Sequence, residues 1–565
     1  MMIVVGSWGD LLAATIQGTY PVTCKTPLGF IADEVELFWP LLFERLQLKA
    51  QFPLRLRPET EQALALRLWQ PILAQSEPTL GNPSRVVRRI LDLLQLAGAA
   101  ALETEQIPLL LAEGWPATSW QALSRHWLTL EGHDAQDNSV WEAIAQCLGQ
   151  WRQWCLSRGL LTYGLIYELY WRYLLPDARY QQQLWRRYRA VFADDTDDYP
   201  AIAKELLEVL LAGGAFGVFA YNSDGQVRLG LNADPNYLLS LAKDAPRETC
   251  DRSAGLPAAS ETAIQLMSDP SFFATLPRQV QSLQTISRAE LLRAVAQTII
   301  AAVQGGEVQP GEVAIVAPGL DEIARYALMQ MLSAQEIPVF PLNEQRPLIS
   351  SPLVRALLVL LALVYPDLGR TLDRDGVAEM LVVLSDRGQD LAHSSESLSA
   401  AIDPVRAGLI ADHCFLIDLA FPRLLPVTAF SRWDRLGHRA TSAYSRICTW
   451  IEQTRAVYEA APFNAIFCLN DAINTFLTPN SLPYDQLAAL KELMETAQHY
   501  WEVERRLQDN ESSWRSPTEQ LEQFIELLQQ GTVTANPRPA RNFSHKDGVM
   551  LATIFQYRSL RACHP

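Results

Sequence analysis

The chain has 565 residues, 49% of them hydrophobic and 19% charged, which is ordinary for globular proteins and excludes long disorder. A formal net charge of −16 is the wrong sign for a protein coated in nucleic acid and leaves only local basic surfaces for phosphate contact. The length predicts several domains.

The N-terminal run "MMIVVGSWGDLLAATIQG" has no basic leader and is interrupted by Asp10. It reads as a β-strand and a short helix rather than a signal peptide. From "EVELFWPLLFERLQLKAQF" to about residue 155, apolar residues recur at helical spacing, as in "SRVVRRILDLLQLAGAAAL" and "SVWEAIAQCLGQWRQWCLSRG". The tryptophans of "WRQWC" and "LYWRYLL" read as core.

Near residue 160 the pattern changes. "RAVFADD" reads as a strand, "AIAKELLEVLLAGG" as a helix stopped by Gly213 and Gly214, and "AFGVFAYNSDGQVRLGLNADP" as strand, Asp-Gly turn, strand. This alternation predicts a parallel sheet with crossover helices. "SRAELLRAVAQTIIAAVQGG" opens with a capping box of Ser287 and Glu290. "EVAIVAP" reads as a short buried strand, followed by a helix and the strand "IPVFPL".

Residues 350 to about 530 are helical again. The most apolar stretch, "ALLVLLALVYP", is too short to span a bilayer of about 30 Å, so no membrane partner is expected. A polar linker, "GTVTANPRPARNFSHKDG", leads to a last strand, "GVMLATIF". The eight cysteines form no C-x-x-C pair, which argues against a zinc ribbon or iron–sulfur site and fits a reducing, cytoplasmic location.

The expected architecture is α/β and mostly helical overall, with two parallel-sheet cores that each carry a large helical insertion. The order resembles the UvrD/Rep type of superfamily 1 DNA helicases, in which two RecA-like domains carry such insertions. On that resemblance, residues 1–35 and 159–250 form the first RecA-like domain and 36–158 its insertion. Residues 251–349 and 541–565 form the second, the latter truncated, and 350–540 its insertion.

The motifs follow in order. "VFADDTDD" occupies the place of the family's D-E-x-Q-D. The resemblance gives Asp194 the carboxylate that helps hold magnesium and Asp195 the place of the glutamate that activates water, with Asp197 replacing the glutamine and Asp198 the last Asp. A hard cation bridging phosphates wants carboxylate oxygens, and an attacking water needs a positioned acceptor. In "YNSDGQVRLGLNADP", Ala233, Asp234 and Pro235 fit the tail of the third motif, while Gly225, Gly230 and Leu231 stand where the phosphate sensor, the base-stacking aromatic and the arginine would be. Arg288 stands near the place of a phosphate-contacting arginine. In the fifth motif Thr553 and Leu560 fit, and Phe555, Arg558, Ser559 and Arg561 replace the family's His, Lys, Gly and Glu. Thr553 and Arg558 are the candidate nucleic-acid contacts.

No G-x-x-x-x-G-K-[ST] occurs; the closest string, "GTYPVTCKT", puts Cys24 and Pro21 where glycine is needed to wrap phosphates. The expectation is therefore a helicase-like DNA-processing protein of repair or recombination, comparable to RecC- and AddB-type subunits. It would bind single-stranded or junction DNA, or a partner helicase or nuclease. Its cofactor is open, and is Mg-ATP if any activity is retained. The alternative is a true ATP-dependent helicase whose P-loop and arginine-finger motif lie outside this chain. The residues of "DDTDDYPAIAKELL" also allow a solvated turn in which Asp198 caps the helix. An EF-hand fits them poorly, because Tyr199 stands where glycine is required.

Overall fold

A computed structural model describes residues 2–5, 22–48, 51–75, 83–114, 139–223, 228, 232–243, 246–248, 269, 271, 281–342, 345–385, 400–460, 464–477, 482–509, 515–536 and 548–558. The chain divides into two compact units. The first comprises 1–241 and 345–538, and the second 242–344 and 539–565. The class is mostly helical α/β with a few small parallel sheets.

The first unit holds a four-stranded parallel sheet of β1 (Met2–Val5), β2 (Val22–Cys24), β3 (Ala190–Ala193) and β4 (Phe216–Phe219), in the order β2–β1–β3–β4. In the register, Ile3 lies beside Val191, and Val191 beside Gly217. Parallel neighbours need crossover connections. The crossover from β3 to β4 is the Ala201–Ala212 helix, which ends at Gly213 with Gly214 at φ 82°, as the two glycines predicted. Its Ile202, Leu206, Leu207 and Leu210 form one buried cluster with Val191 and Ala193. On the other side of β4, Phe216 and Val218 are exposed. The second strand expected after the Asp-Gly turn lies outside the described residues.

The crossover from β2 to β3 contains the N-terminal helical block. There the Pro83–Ala99 and Tyr163–Leu169 helices approach so closely that a Cβ on Gly98 would stand 2.8 Å from the Gly164 carbonyl oxygen. Trp69 and Trp151 are fully buried with ring centroids 6.1 Å apart, and Trp151 stacks on Trp154 at 5.5 Å. The "WRQWC" tryptophans are thus core residues.

The same hydrophobic cluster includes Val503 and Leu507 of the Tyr484–Gln508 helix. The helical residues 345–538 therefore share a core with the N-terminal block. At the centre of this second helical block, ten of the residues of the Pro352–Val364 helix are buried. A helix that is apolar all round is one surrounded by protein, which accounts for the run "ALLVLLALVYP". No described helix is long and apolar enough to cross a membrane.

The second unit has three parallel strands, β5 (Ala314–Ala317), β6 (Val339–Pro341) and β7 (Val549–Thr553), in the order β5–β7–β6. The last strand enters between the other two, and Val549 and Leu551 pack with Leu328, Leu332, Ile337 and Val339. β5 corrects the expectation of a buried strand: it is an edge strand with Val316 exposed. The capping box is half made. Ser287 accepts from the Glu290 amide, but the Glu290 carboxylate accepts from Ile286 instead of Ser287.

Candidate functional site

In open α/β sheets, ligands bind beyond the C-terminal ends of the strands. At that edge of the first unit, Asp194 and Asp195 follow β3, Cys24 ends β2, and Tyr221 and Asn222 follow β4. Asp195 adopts the left-handed conformation at φ 53° and starts a 3₁₀ turn over Thr196–Asp198.

Two side chains of that turn tie it to the strand beside it. The Thr196 amide and hydroxyl both donate to the Ala220 carbonyl, at 2.9 and 2.8 Å. The fully buried Asp197 accepts from the Asn222 amide at 3.1 Å. Asp197 is therefore a structural anchor, while Asp194 and Asp195 are half-buried at the open end of the sheet. The turn does not cap the next helix through Asp198, as the sequence allowed. Pro200 is the N-cap, and no side chain bonds there.

Tyr199 lies beneath the carboxylates. It is buried, and its hydroxyl makes no hydrogen bond among the described residues. Burial first, then the charges of Asp194 and Asp195, push its phenol far above the ordinary range. Sequence reading found the carboxylates but missed Thr196, Tyr199 and Asn222, whose roles depend on the neighbouring strand. The one available signal was the threonine and tyrosine that bracket Asp197 and Asp198.

Lys25 and Thr26, from the string nearest a P-loop, are already engaged. Lys25 pairs with Asp33, which also takes Arg55 at 2.9 Å. The Thr26 hydroxyl accepts from the Gly29 amide at 3.1 Å and caps the Pro27–Leu37 helix. These residues do not fit a nucleotide phosphate, which needs a free lysine and a glycine-lined backbone. Among the described residues no group of three or more His, Cys, Asp or Glu side chains is placed to hold a metal ion. Magnesium is held by one or two carboxylates with water and phosphate completing the octahedron, and the carboxylates that follow β3 at this edge are Asp194 and Asp195.

Thr553 and Arg558 belong to the second unit. Thr553 ends β7, its hydroxyl accepts from the Gln556 amide at 3.2 Å, and the Gln556 side chain accepts from the Thr553 amide at 2.9 Å. This reciprocal pair caps the Ile554–Arg558 helix, which carries Arg558. Leu560 and Arg561 lie outside the described residues, as do Gly225, Gly230 and Leu231. Arg288 is exposed and pairs with Asp321 at 2.5 Å.

No protein-family model matches the chain, and no curated protein matches it at a significant level.

Proposed function

We propose that the chain is a helicase-like DNA-processing protein of repair or recombination. It acts as a non-catalytic or weakly ATPase-active subunit that binds DNA or a partner helicase or nuclease in the cytoplasm. Its two units are read as degenerate RecA-like cores. The observation that carries this reading is the carboxylate pair Asp194–Asp195 at the open end of β3, in a chain whose Lys25 and Thr26 are committed to Asp33 and Gly29. The corner keeps a magnesium-type carboxylate beside residues unsuited to grip a nucleotide.

The test measures ATP hydrolysis and DNA binding by the full chain. Hydrolysis at background, unchanged by DNA and by Asp194→Ala, is the expected result. DNA-stimulated hydrolysis abolished by Asp194→Ala would overturn the non-catalytic reading.

That outcome would favour a second reading, a true ATP-dependent helicase whose P-loop and arginine finger lie outside this chain.

A further inference from the structure

The first unit carries a turn rich in exposed arginine. Arginines elsewhere are mostly paired: Arg57 with Glu492, Arg152 with Glu168, Arg187 with Glu34, Arg355 with Glu379, Arg370 with Glu522, and Arg374 with Asp412. Between Phe430 and the start of the His438–Ala460 helix, the sequence "SRWDRLGHR" places Arg432, Arg435 and Arg439 on the surface. None of the three forms an ion pair or side-chain hydrogen bond with a described residue. Asp434 is the one carboxylate in the turn, so the segment is net positive in a chain whose formal charge is −16.

The turn is held from beneath. Leu436 is buried, and the buried Phe430 ring stacks on His413 at 4.6 Å. The Trp433 amide donates to the Phe430 carbonyl at 3.0 Å, and the Arg435 amide to the Arg432 carbonyl at 3.0 Å. Gly437 at φ 80° turns the chain into the helix. On this fixed base Trp433 stands 44% exposed. An exposed indole offers a flat apolar face whose covering by a partner gains free energy. An anionic partner with flat apolar faces suits both the ring and the guanidiniums. Single-stranded nucleic acid is such a partner, since bases stack on aromatic side chains and phosphates draw in arginines, largely irrespective of base sequence.

We propose that the turn from Ser431 to Arg439 is a contact site for single-stranded nucleic acid, with a base stacked on Trp433 and phosphates neutralised by Arg432, Arg435 and Arg439. The site deepens the DNA-binding reading above and rests on it, but it does not depend on the carboxylate corner.

The experiment titrates the full chain with a fluorescent thymidylate strand of about 20 nucleotides, from about 50 to about 200 mM salt. The triple variant Arg432→Ala, Arg435→Ala, Arg439→Ala is expected to bind at least about tenfold more weakly at low salt. It should also flatten the slope of log affinity against log salt by about 2, near 0.7 for each lost phosphate contact. Trp433→Ala is expected to weaken binding by roughly 5- to 100-fold with the slope unchanged, and Trp433→Phe to recover most of the loss. All these side chains are exposed, so thermal melting of each variant should match the parent. If the parent binds the strand and both variants keep its affinity and slope, this site is overturned while the DNA-binding reading stands. If the parent does not bind the strand at low salt, both fall. Binding to phosphatidylserine vesicles in place of the strand would assign the turn to membranes and overturn the proposal.

Discussion

Arg506 and Gly159 meet across 347 positions of sequence: the guanidinium donates to the Gly159 carbonyl at 3.1 Å and also to the Phe52 carbonyl at 2.7 Å. Only 8% of the Arg506 side chain is exposed, and Glu502 balances its charge at 3.3 Å. Nearby, Arg57 pairs with Glu492, and the His499 ring bonds the Arg55 carbonyl at 2.9 Å. The Tyr484–Gln508 helix is thus bolted to the N-terminal helical block by polar contacts around a shared apolar core.

Removing the bolt takes the Arg506 donor from the Phe52 carbonyl and leaves the Gly159 carbonyl with the Leu54 amide alone. Arg506→Ala is expected to cost about 2–4 kcal/mol in denaturant unfolding. Arg506→Lys should recover part of this, because one ammonium nitrogen can replace the Nη1 contacts to the carbonyls but cannot also supply the separate Nε contact to Glu502. Equal stability of Arg506→Ala and the parent would refute the role.

The close approach of two helices makes a second test. A Cβ on Gly164 would stand 2.7 Å from the Leu94 side chain, in backbone already packed against Gly98. Gly164→Ala should therefore destabilise by about 1–3 kcal/mol through overpacking, although alanine is the better helix former. A gain in stability from this substitution would show that the helices separate freely.

Within the acidic cluster, structure and chemistry divide between neighbours. Asp197→Ala removes the acceptor of the Asn222 amide in a fully buried place. It should cost about 1–3 kcal/mol. Asp194→Asn is expected to change stability by less than about 1 kcal/mol. Denaturation of both variants side by side checks the division, and a reversed order would dismiss it.

Two buried groups set opposite pH dependences. Burial pushes the Glu61 carboxyl from 4.5 up to about 7, so the folded state holds its proton more tightly than the unfolded chain. Stability from this group is full below about pH 4.5 and falls as pH rises to about 7, by on the order of 3 kcal/mol. Glu61→Gln should remove the decline and raise stability at pH 8. Burial lowers His499 below its usual 6.5, so the unfolded chain gains that proton first and stability falls as pH drops below about 6.5. Denaturant midpoints from pH 5 to 8 read both slopes; a parent profile unaltered by Glu61→Gln would count against the first.

Much of this protein was legible in its sequence because the signals are local. Helical periodicity marked both helical blocks. Gly213 and Gly214 marked the end of the Ala201–Ala212 helix, and alternation marked β3 and β4. The acidic pair could be placed at a strand end by reading "AVFADD" alone, since an apolar run ending in carboxylates has to leave the core there. What each carboxylate does was not legible. Asp197 is an anchor, not a free ligand, because Asn222 is brought beside it by a strand 25 positions later.

By itself, then, the sequence determined the main elements, their order and the net acidity, all of which follow from residue type at short range. Only the tertiary structure decided which charges remain free. Lys25 is consumed by Asp33, Arg506 by two distant carbonyls, and Arg432, Arg435 and Arg439 by no described residue. Desolvation and pairing depend on what chain folding brings within a few ångströms, and sequence separation does not encode that distance.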